Sequence, residues 1–153
     1  MTDLRNRRRV AVIGGSRAKA GAKSLAYEVG QLIARKGAVL VCGGLSGVME
    51  AAARGAREAG GLTIGILPGS DPAEANAFID IPVATGLGYT RNSLVVQNAG
   101  AVIAVDGEYG TLSEIAYSIV YGKKVIGLDT WDIPGVLPAR TAEEAVNLAL
   151  QER

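Results

Sequence analysis

The chain has 153 residues, a formal net charge of +1, a hydrophobic fraction of 48% and no histidine. This length suits one domain with a single core, and the near-neutral charge argues against a surface that recruits nucleic acid or an anionic membrane as a whole. The missing histidine excludes Ser-His and Cys-His nucleophiles and His-ligated zinc, so we expect no metal site, and any catalysis must use carboxylates, Arg, Lys, Tyr or backbone amides.

A basic cluster, formed by Arg5 with residues 7–9, precedes the first apolar run. Residues 1–8 are interpreted as a basic N-terminal arm and residues 9–153 as one ligand-binding domain. A nucleic-acid arm and a solvated arm both fit the cluster, and the solvated arm is favoured. No apolar run approaches the ~20 residues of a membrane span, and the single cysteine, Cys42, lies in an apolar run. We therefore expect a cytoplasmic protein with a buried, unreactive thiol and no nucleic-acid or membrane partner.

Short apolar runs rich in β-branched residues alternate with longer helical patterns. Buried strands are predicted over residues 9–15, 38–44, 62–69, 101–107 and 124–129, with a weaker edge strand over 78–85. Helices are predicted over residues 21–36, 47–60, 89–99, 110–122 and 141–151. This alternation predicts an α/β fold with a doubly wound, mainly parallel sheet, that is, a Rossmann-like three-layer α/β/α domain.

The helix over residues 110–122 carries an apolar stripe that predicts its buried face. The stripe consists of Leu112, Ile115, Ala116, Ile119 and Val120. Two tyrosines one turn apart, Tyr117 and Tyr121, lie beside it, either as ordinary amphipathic residues or as part of a subunit interface.

The loop after the first strand, "GGSRAKAG" over residues 14–21, fits neither the dinucleotide fingerprint nor the Walker pattern. It places Ser16, Arg17 and Lys19 near a helix start, which suits a phosphate or carboxylate group. We predict ligand contacts from Gly14, Gly15, Ser16 and Arg17. A glycine turn needed only for tight packing is the alternative.

The loop after the second strand, "GGLSGVME" over residues 43–50, holds three glycines that let a backbone pass close to a ligand. Ser46 is predicted to cap the following helix. We include Gly43, Gly44, Ser46 and Gly47 among the predicted ligand-binding residues.

The loop over residues 106–114, "DGEYGTLSE", is a glycine-rich turn that also carries Asp106 and Glu108. Its amides and Thr111 suit an anion, whereas inward-pointing carboxylates would favour donor-rich groups such as a pterin or purine edge. Thr111 and Glu114 also have the spacing of a capping box. Because the carboxyl ends of parallel strands share one edge, we expect this loop and the two preceding it to gather on one rim.

Three segments carry a family resemblance that spans about residues 9–130. They are "GGLSGVMEAAARGAREAGGLTIGILPG", "GYTRNSLVVQNAGAVIAVDGEYGTLSEI" and "KKVIGL". The chain resembles the family that contains the LONELY GUY-type cytokinin-activating phosphoribohydrolases, often mislabelled lysine decarboxylases, and the molybdenum cofactor carrier proteins.

The resemblance to the hydrolases rests on two motifs, Pro-Gly-Gly-x-Gly-Thr-x-x-Glu and Met-His-x-Arg-Lys. The positions that match them are Gly107, Gly110, Thr111, Glu114 and Arg91; the departures are Asp106 for proline, Glu108 for glycine, Gly88-Tyr89 for Met-His and Asn92 for lysine. The resemblance implies ligand contacts at Arg91, Asn92, Asp106, Gly107, Gly110, Thr111 and Glu114. If the chain is a hydrolase, Glu114 and Arg91 are the catalytic pair.

The departures favour binding without turnover, as in the cofactor-carrier branch. The first function we expect is therefore binding of a phosphorylated nucleotide-like or pterin-like ligand, with a bound molybdenum cofactor or nucleotide but no obligatory cofactor. The alternatives are a phosphoribohydrolase acting on nucleoside 5′-monophosphates, not a lysine decarboxylase, and a non-catalytic regulatory or scaffold subunit. A homo-oligomer, dimer or tetramer, is expected.

Overall fold

The computed structural model describes residues 3–152; residues 1, 2 and 153, which belong to the predicted arm and domain, lie outside the described part. The strands are β1 (Arg9–Ile13), β2 (Val39–Cys42), β3 (Thr63–Leu67), β4 (Ile81–Ala84), β5 (Ala101–Val105), β6 (Lys124–Leu128) and β7 (Val136–Pro138). They form one parallel sheet in the order β4-β3-β2-β1-β5-β6-β7. The predicted strands are confirmed, including the edge strand. The short, half-exposed β7 was not predicted, because three residues ending in proline carry no strand periodicity.

The helices confirm the five predicted helical segments. They are α1 (Ala20–Arg35), α2 (Val48–Glu58), α3 (Asn92–Gln97), α4 (Tyr109–Val120) and α5 (Ala142–Leu150). The helix α3 is shorter than predicted because the chain from Gly88 to Arg91 forms a 3-10 turn before it. Among residues 3–152, no helix combines the length and apolarity needed to cross a bilayer.

The helices divide into two layers, one on each face of the sheet. We call α1, α2 and α5 the α1 layer, and α3 with α4 the α4 layer. Side chains of β5 alternate between them: Ile103 and Val105 belong to the core under the α1 layer, and Val102 and Ala104 to the core under the α4 layer. The predicted Rossmann-like α/β/α fold is confirmed.

Two glycines let α1 and α2 pack closely within the α1 layer. A Cβ atom at Gly30 would lie 2.0 Å from the carbonyl oxygen of Ala52, and one at Gly55 would lie 2.0 Å from that of Tyr27. These obstacles are backbone atoms of the facing helix, which cannot move aside without separating the two helices.

The predicted buried face of α4 is wrong. The buried residues are Thr111, Glu114, Ile115 and Ser118, so only Ile115 of the apolar stripe is fully buried. Ala116 is exposed, Ile119 is 39% exposed and Val120 is 78% exposed, while Leu112 is half-buried. The sequence periodicity marks the apolar face of the helix. However, a mostly polar face of α4 is buried, and part of the apolar face is exposed to solvent.

The single thiol behaves as expected. Cys42 is buried and free, and burial raises its pKa to about 12. The thiol is therefore protonated and unreactive at neutral pH.

Arg7 connects the N-terminal segment to the rest of the chain, whereas Arg5 pairs within that segment. Arg7 donates from Nε to the carbonyl oxygen of Gly37 at 3.0 Å, and Arg5 forms an exposed ion pair with Asp3 at 3.2 Å. The Arg5 ion pair lies in solvent and contributes little stability.

Candidate ligand-binding rim

The expected rim lies at the carboxyl edge of the sheet, where the loops after β1, β2 and β5 meet. The loop after β1 leads to the α1 layer and the loop after β5 leads to the α4 layer, so a crevice opens between these neighbouring strands. A Cβ atom at Gly15 would lie 4.0 Å from the Cα atom of Gly107, and the Val48 amide donates to the carbonyl oxygen of Gly15 at 3.1 Å. The predicted convergence of the loops is confirmed.

Ser46 connects the first two loops. The prediction that Ser46 caps α2 is wrong, because the N-cap residue is Gly47 and no side chain bonds to the start of this helix. Instead, the Ser46 hydroxyl donates to the carbonyl oxygen of Ser16 at 3.1 Å. Gly47 makes the close approach possible, since a Cβ atom there would lie 2.2 Å from the carbonyl oxygen of Gly15.

Most rim glycines are required by the protein itself. At Gly14 an added Cβ atom would lie 2.5 Å from Cγ1 of Val48, and at Gly44 it would lie 2.6 Å from Cδ2 of Leu67. At Gly43 it would lie 2.6 Å from Sδ of Met49 and 2.7 Å from Nη2 of Arg91. At Gly107 it would lie 2.3 Å from Oγ1 of Thr111. Gly107 also has φ of 103°. Packing explains these glycines without a ligand.

Gly15 and Gly110 are different. A Cβ atom at Gly15 would have its nearest neighbour at 3.4 Å, and one at Gly110 at 3.8 Å, and neither residue has a left-handed backbone. Neither packing nor backbone conformation therefore demands glycine at these two positions, which belong to the loop after β1 and to the start of α4. Glycine there leaves space on the rim that a side chain would fill.

The three helices that begin on the rim have no side-chain caps. Their N-cap residues are Lys19 for α1, Gly47 for α2 and Glu108 for α4, and no side-chain bond caps these helices. By contrast, α5 begins elsewhere with Thr141, whose Oγ1 accepts from the Glu144 amide at 3.1 Å. At the start of α2 the Val48 amide donates to the carbonyl oxygen of Gly15, whereas the first-turn amides of α1 and α4 are left for solvent or an anion.

The capping-box interpretation of Thr111 and Glu114 is also wrong. The helix α4 begins at Tyr109, so Thr111 is its third residue and cannot be the N-cap. Thr111 is buried directly beneath Gly107.

Arg91 lies beneath the rim and bonds to the protein. It is 6% exposed; Nε donates to the carbonyl oxygen of Ile66 at 2.8 Å, Nη2 to that of Gly43 at 3.3 Å, and Nη1 to Oδ1 of Asn92. Burial lowers the pKa of the guanidinium, and the charge of Glu114 opposes that effect. Arg91 therefore ties the ends of β2 and β3 to the start of α3.

Asn92 continues this connection to α4. Its Nδ2 donates to Oγ of Ser113 at 3.1 Å and lies 3.4 Å from the carbonyl oxygen of Gly110. The side chain is buried and both of its polar ends are engaged, so it holds α3 against the first turn of α4.

Glu114 is the buried acid of the site. It is 7% exposed, and burial raises the pKa of its carboxyl to about 8, with Arg91 acting in the opposite direction. The ion pairs found within residues 3–152 do not join Glu114 to Arg91. At neutral pH this carboxyl is mostly protonated, so it donates a hydrogen bond or a proton more readily than it acts as a base.

The remaining charged residues of the rim differ in exposure. Arg17, Lys19 and Glu108 are exposed, whereas Asp106 is half-buried and has φ of 50°. The two cations and Glu108 lie in solvent at the mouth of the crevice.

Contacts from outside the motifs support the rim loops. Thr130 donates from Oγ1 to the carbonyl oxygen of Asp106 at 2.7 Å, and Trp131 donates from Nε1 to that of Glu108 at 3.1 Å. Asn76 donates to the carbonyl oxygen of Leu45 at 2.7 Å. These three residues are not predictable from the sequence, because they lie in irregular loops with no motif.

Comparison with known proteins yields relatives over nearly the whole chain. An uncharacterised protein of Archaeoglobus fulgidus is 45% identical over 142 residues, covering 92% of this chain and 93% of that protein. The structure of the molybdenum cofactor binding protein from Rippkaea orientalis matches with a TM-score of 0.89 and 37% identity, covering 94% of this chain and 95% of that one.

A cytokinin riboside 5′-monophosphate phosphoribohydrolase of Mycobacterium tuberculosis is a more distant relative. It is 32% identical and the match covers 70% of this chain, but only 62% of the hydrolase. The resemblance to both branches is therefore confirmed. The model of the SLOG cluster4 family matches residues 7–152, and the chain belongs to that family.

Proposed function

We propose that this protein is a carrier-type binding protein for a small ligand that combines a phosphate with a pterin-like or nucleotide-like ring. The observation that carries the proposal is the set of uncapped helix starts around a crevice kept open at Gly15 and Gly110. Amides at helix N-termini favour negative charge. The likeness to the Rippkaea orientalis cofactor-binding structure supports a ligand of this class.

The phosphate would bind at the starts of α1 and α4. Free amides lie at the first turn of each helix, and Arg17 and Lys19 add exposed cations beside α1. Their positive charges and the helix dipoles would hold a dianion without using Arg91.

The ring would lie over the polar side chains on the α4 side. Asp106 supplies an acceptor, and a protonated Glu114 supplies a donor as well as an acceptor. A pterin or purine edge carries both kinds of group, so these residues fit such a ring. A molybdenum cofactor would be cargo in this site: it would supply its own chemistry elsewhere, and the chain would only bind and orient it.

The buried, fully bonded Arg91 argues for binding rather than hydrolysis. All three nitrogens of the Arg91 side chain donate to protein acceptors. The guanidinium therefore has little hydrogen-bonding capacity left for the substrate phosphate, where hydrolysis would need a cation. Glu114 still has the character of a general acid, and this keeps phosphoribohydrolase activity as the second candidate.

Calorimetric titration with adenosine 5′-monophosphate tests the proposal, paired with chromatography of the same mixture for free adenine. We expect binding that weakens in Arg17→Ala and no release of adenine over many hours. Adenine release that disappears in Glu114→Gln would establish the hydrolase instead.

A second probe tests the ring preference. Protein purified gently from cells that make molybdopterin should still hold a pterin. Denaturation and oxidation should then release it as a fluorescent product. If neither the pterin nor adenosine 5′-monophosphate binds, the carrier proposal is wrong and a scaffold role gains support.

A further inference from the structure

The two most exposed large hydrophobic side chains within residues 3–152 both lie on the ligand-binding rim. Tyr89 is 86% exposed, in the 3-10 turn that follows β4, and Tyr109 is 79% exposed, at the first position of α4. The 3-10 turn lies at the carboxyl edge of the sheet, because the Gly88 amide donates to the carbonyl oxygen of Pro68 just after β3, at 3.0 Å. The rim therefore presents two aromatic rings in addition to its amides and cations.

The two rings border the open space over Gly110. Tyr109 directly precedes this glycine, and Nδ2 of Asn92 lies 3.4 Å from its carbonyl oxygen on the other side. Tyr89 comes three residues before Asn92 in a continuous helical segment, and residues three apart in such a segment lie on the same face. Because an added Cβ atom at Gly110 would have its nearest neighbour 3.8 Å away, the space between the rings is not filled by the protein.

Trp131 holds the start of α4 in place beside Tyr109. Its Nε1 donates to the carbonyl oxygen of Glu108 at 3.1 Å, and its ring centroid lies 6.0 Å from that of Tyr109, with the two planes tilted by 35°. Trp131 itself packs against the core under the α4 layer. A side chain with a fixed neighbour loses less conformational freedom on binding, so Tyr109 is preorganised for a contact with a ligand.

A flat aromatic ring suits the space between the two tyrosines. Asp106 and Glu114 can pair with the polar edge of a ring, but such contacts leave both faces of the ring uncovered. Aromatic side chains cover those faces by stacking, and they do so for any base. A single exposed tyrosine would be ordinary. Here two tyrosines border one gap, at a glycine that neither packing nor backbone conformation requires.

We propose that Tyr89 and Tyr109 form a stacking subsite for the ring of the bound ligand, with Trp131 as a positioning residue. This inference rests on the proposed function, the binding of a phosphorylated pterin-like or nucleotide-like ligand. It adds the basis of selectivity: the protein selects phosphates that are attached to an aromatic ring and discriminates against sugar phosphates that have none.

Calorimetric titration with adenosine 5′-monophosphate and with ribose 5-phosphate tests this selectivity. Both compounds carry a phosphate on ribose, but only the first has a ring. We expect the wild type to bind adenosine 5′-monophosphate at least about tenfold more tightly. Identical Kd values for the two compounds would overturn the stacking subsite and leave the phosphate site intact, whereas no binding of either compound would overturn both.

Substitutions of the two tyrosines separate their rings from their hydroxyl groups. Tyr89→Ala and Tyr109→Ala should each raise the Kd for adenosine 5′-monophosphate about fivefold or more and leave that for ribose 5-phosphate unchanged. Tyr89→Phe and Tyr109→Phe keep the ring and should keep the wild-type Kd. Leu4→Ala, which removes an exposed apolar side chain before β1 at the opposite edge of the sheet, should change neither Kd. Unchanged Kd values in the alanine variants, or equal losses in the alanine and phenylalanine variants, would contradict stacking.

The fluorescence of Trp131 reports directly on a ring bound at Tyr109, because Trp131 is the only tryptophan of the chain. A ring stacked on Tyr109 would lie close to the indole, so saturating adenosine 5′-monophosphate should quench the emission and ribose 5-phosphate should not. In Tyr109→Ala the quenching should be reduced. Emission that stays constant while calorimetry shows adenosine 5′-monophosphate bound would place the ring elsewhere and overturn the subsite.

Discussion

The α1 layer and the α4 layer cover the same sheet but divide polar and apolar residues in opposite ways. The outer surfaces of α1 and α2 carry charges such as Glu28, Arg54 and Glu58, and Arg54 pairs with Glu58 at 3.1 Å. The inner surface of the α1 layer is Ala, Val and Ile. In the α4 layer, Glu114 of α4 and the residues Arg91 and Asn92 at the start of α3 are buried, and the exposed residues of α4 are apolar.

This difference separates a layer built mainly from apolar packing from one that holds buried charged residues at the crevice. Buried Arg91 and Glu114 cost desolvation free energy that well-packed apolar residues would not. The α4 layer retains them where β1 and β5 open the crevice. The loops of the α1 layer contribute glycine backbone and the exposed cations Arg17 and Lys19 to the rim.

The largest effect is expected where the α1 layer is packed most tightly. Gly30→Val should lower the free energy of unfolding by about 3 kcal/mol, because its side chain would meet the backbone of Ala52. Urea unfolding followed by circular dichroism measures the change.

The matched control lies in the same helix. A Cβ atom at Gly21 would have no neighbour within 4 Å, so Gly21→Ala should gain about 0.5–1 kcal/mol from helix propensity. Equal losses in both variants would show that glycine flexibility, rather than close packing of α1 on α2, matters in this helix.

The next largest effect is the pH dependence of stability caused by Glu114 in the α4 layer. The carboxyl pKa of Glu114 is raised from 4.5 to about 8, so between these values the folded protein keeps a proton that the unfolded chain has lost. Stability should therefore fall as pH rises from about 4.5 to about 8 and then level off, by about 2 kcal/mol after allowance for relaxation. In Glu114→Gln this fall should be missing.

Urea unfolding across pH 5 to 9 separates Glu114 from the other titrating groups. Glu28→Gln, on the exposed side of α1, should keep the wild-type pH profile. If Glu114→Gln keeps the wild-type pH profile, the Glu114 carboxyl of the wild type is ionised throughout this range. The charge of Arg91 would then outweigh burial in setting the pKa of Glu114.

The two layers also differ in how far the sequence predicts them. The strands, the order of elements and the rim loops follow from apolar runs and glycine positions, which are local signals. The orientation of α4 does not, because Ile119 and Val120 have the periodicity of a buried stripe, and the residues that bury instead are polar ones required at the crevice. The cap expected at Ser46 failed for a similar reason: its hydroxyl bonds to Ser16, which is distant in sequence.

A smaller effect is expected from the capped helix of the α1 layer. Thr141→Ala removes the hydroxyl that accepts from the Glu144 amide, and it should cost about 1 kcal/mol. Thr141→Ser should retain most of that stability. If Thr141→Ala costs nothing, then side-chain caps matter little in this fold, and their absence at the rim would no longer point to a ligand.

The smallest effect on stability, with a clear effect on binding, is expected at Gly110. The nearest neighbour of an added Cβ atom is 3.8 Å away, so Gly110→Ala should change the free energy of unfolding by less than about 0.5 kcal/mol. The methyl group would occupy the open space above the first turn of α4, and calorimetry should show the Kd for adenosine 5′-monophosphate raised about tenfold. Gly100→Ala, at the opposite end of the sheet with its nearest neighbour at 3.7 Å, should leave that Kd unchanged. Equal affinity in the wild type and both variants would mean that the space over Gly110 does not hold the ligand.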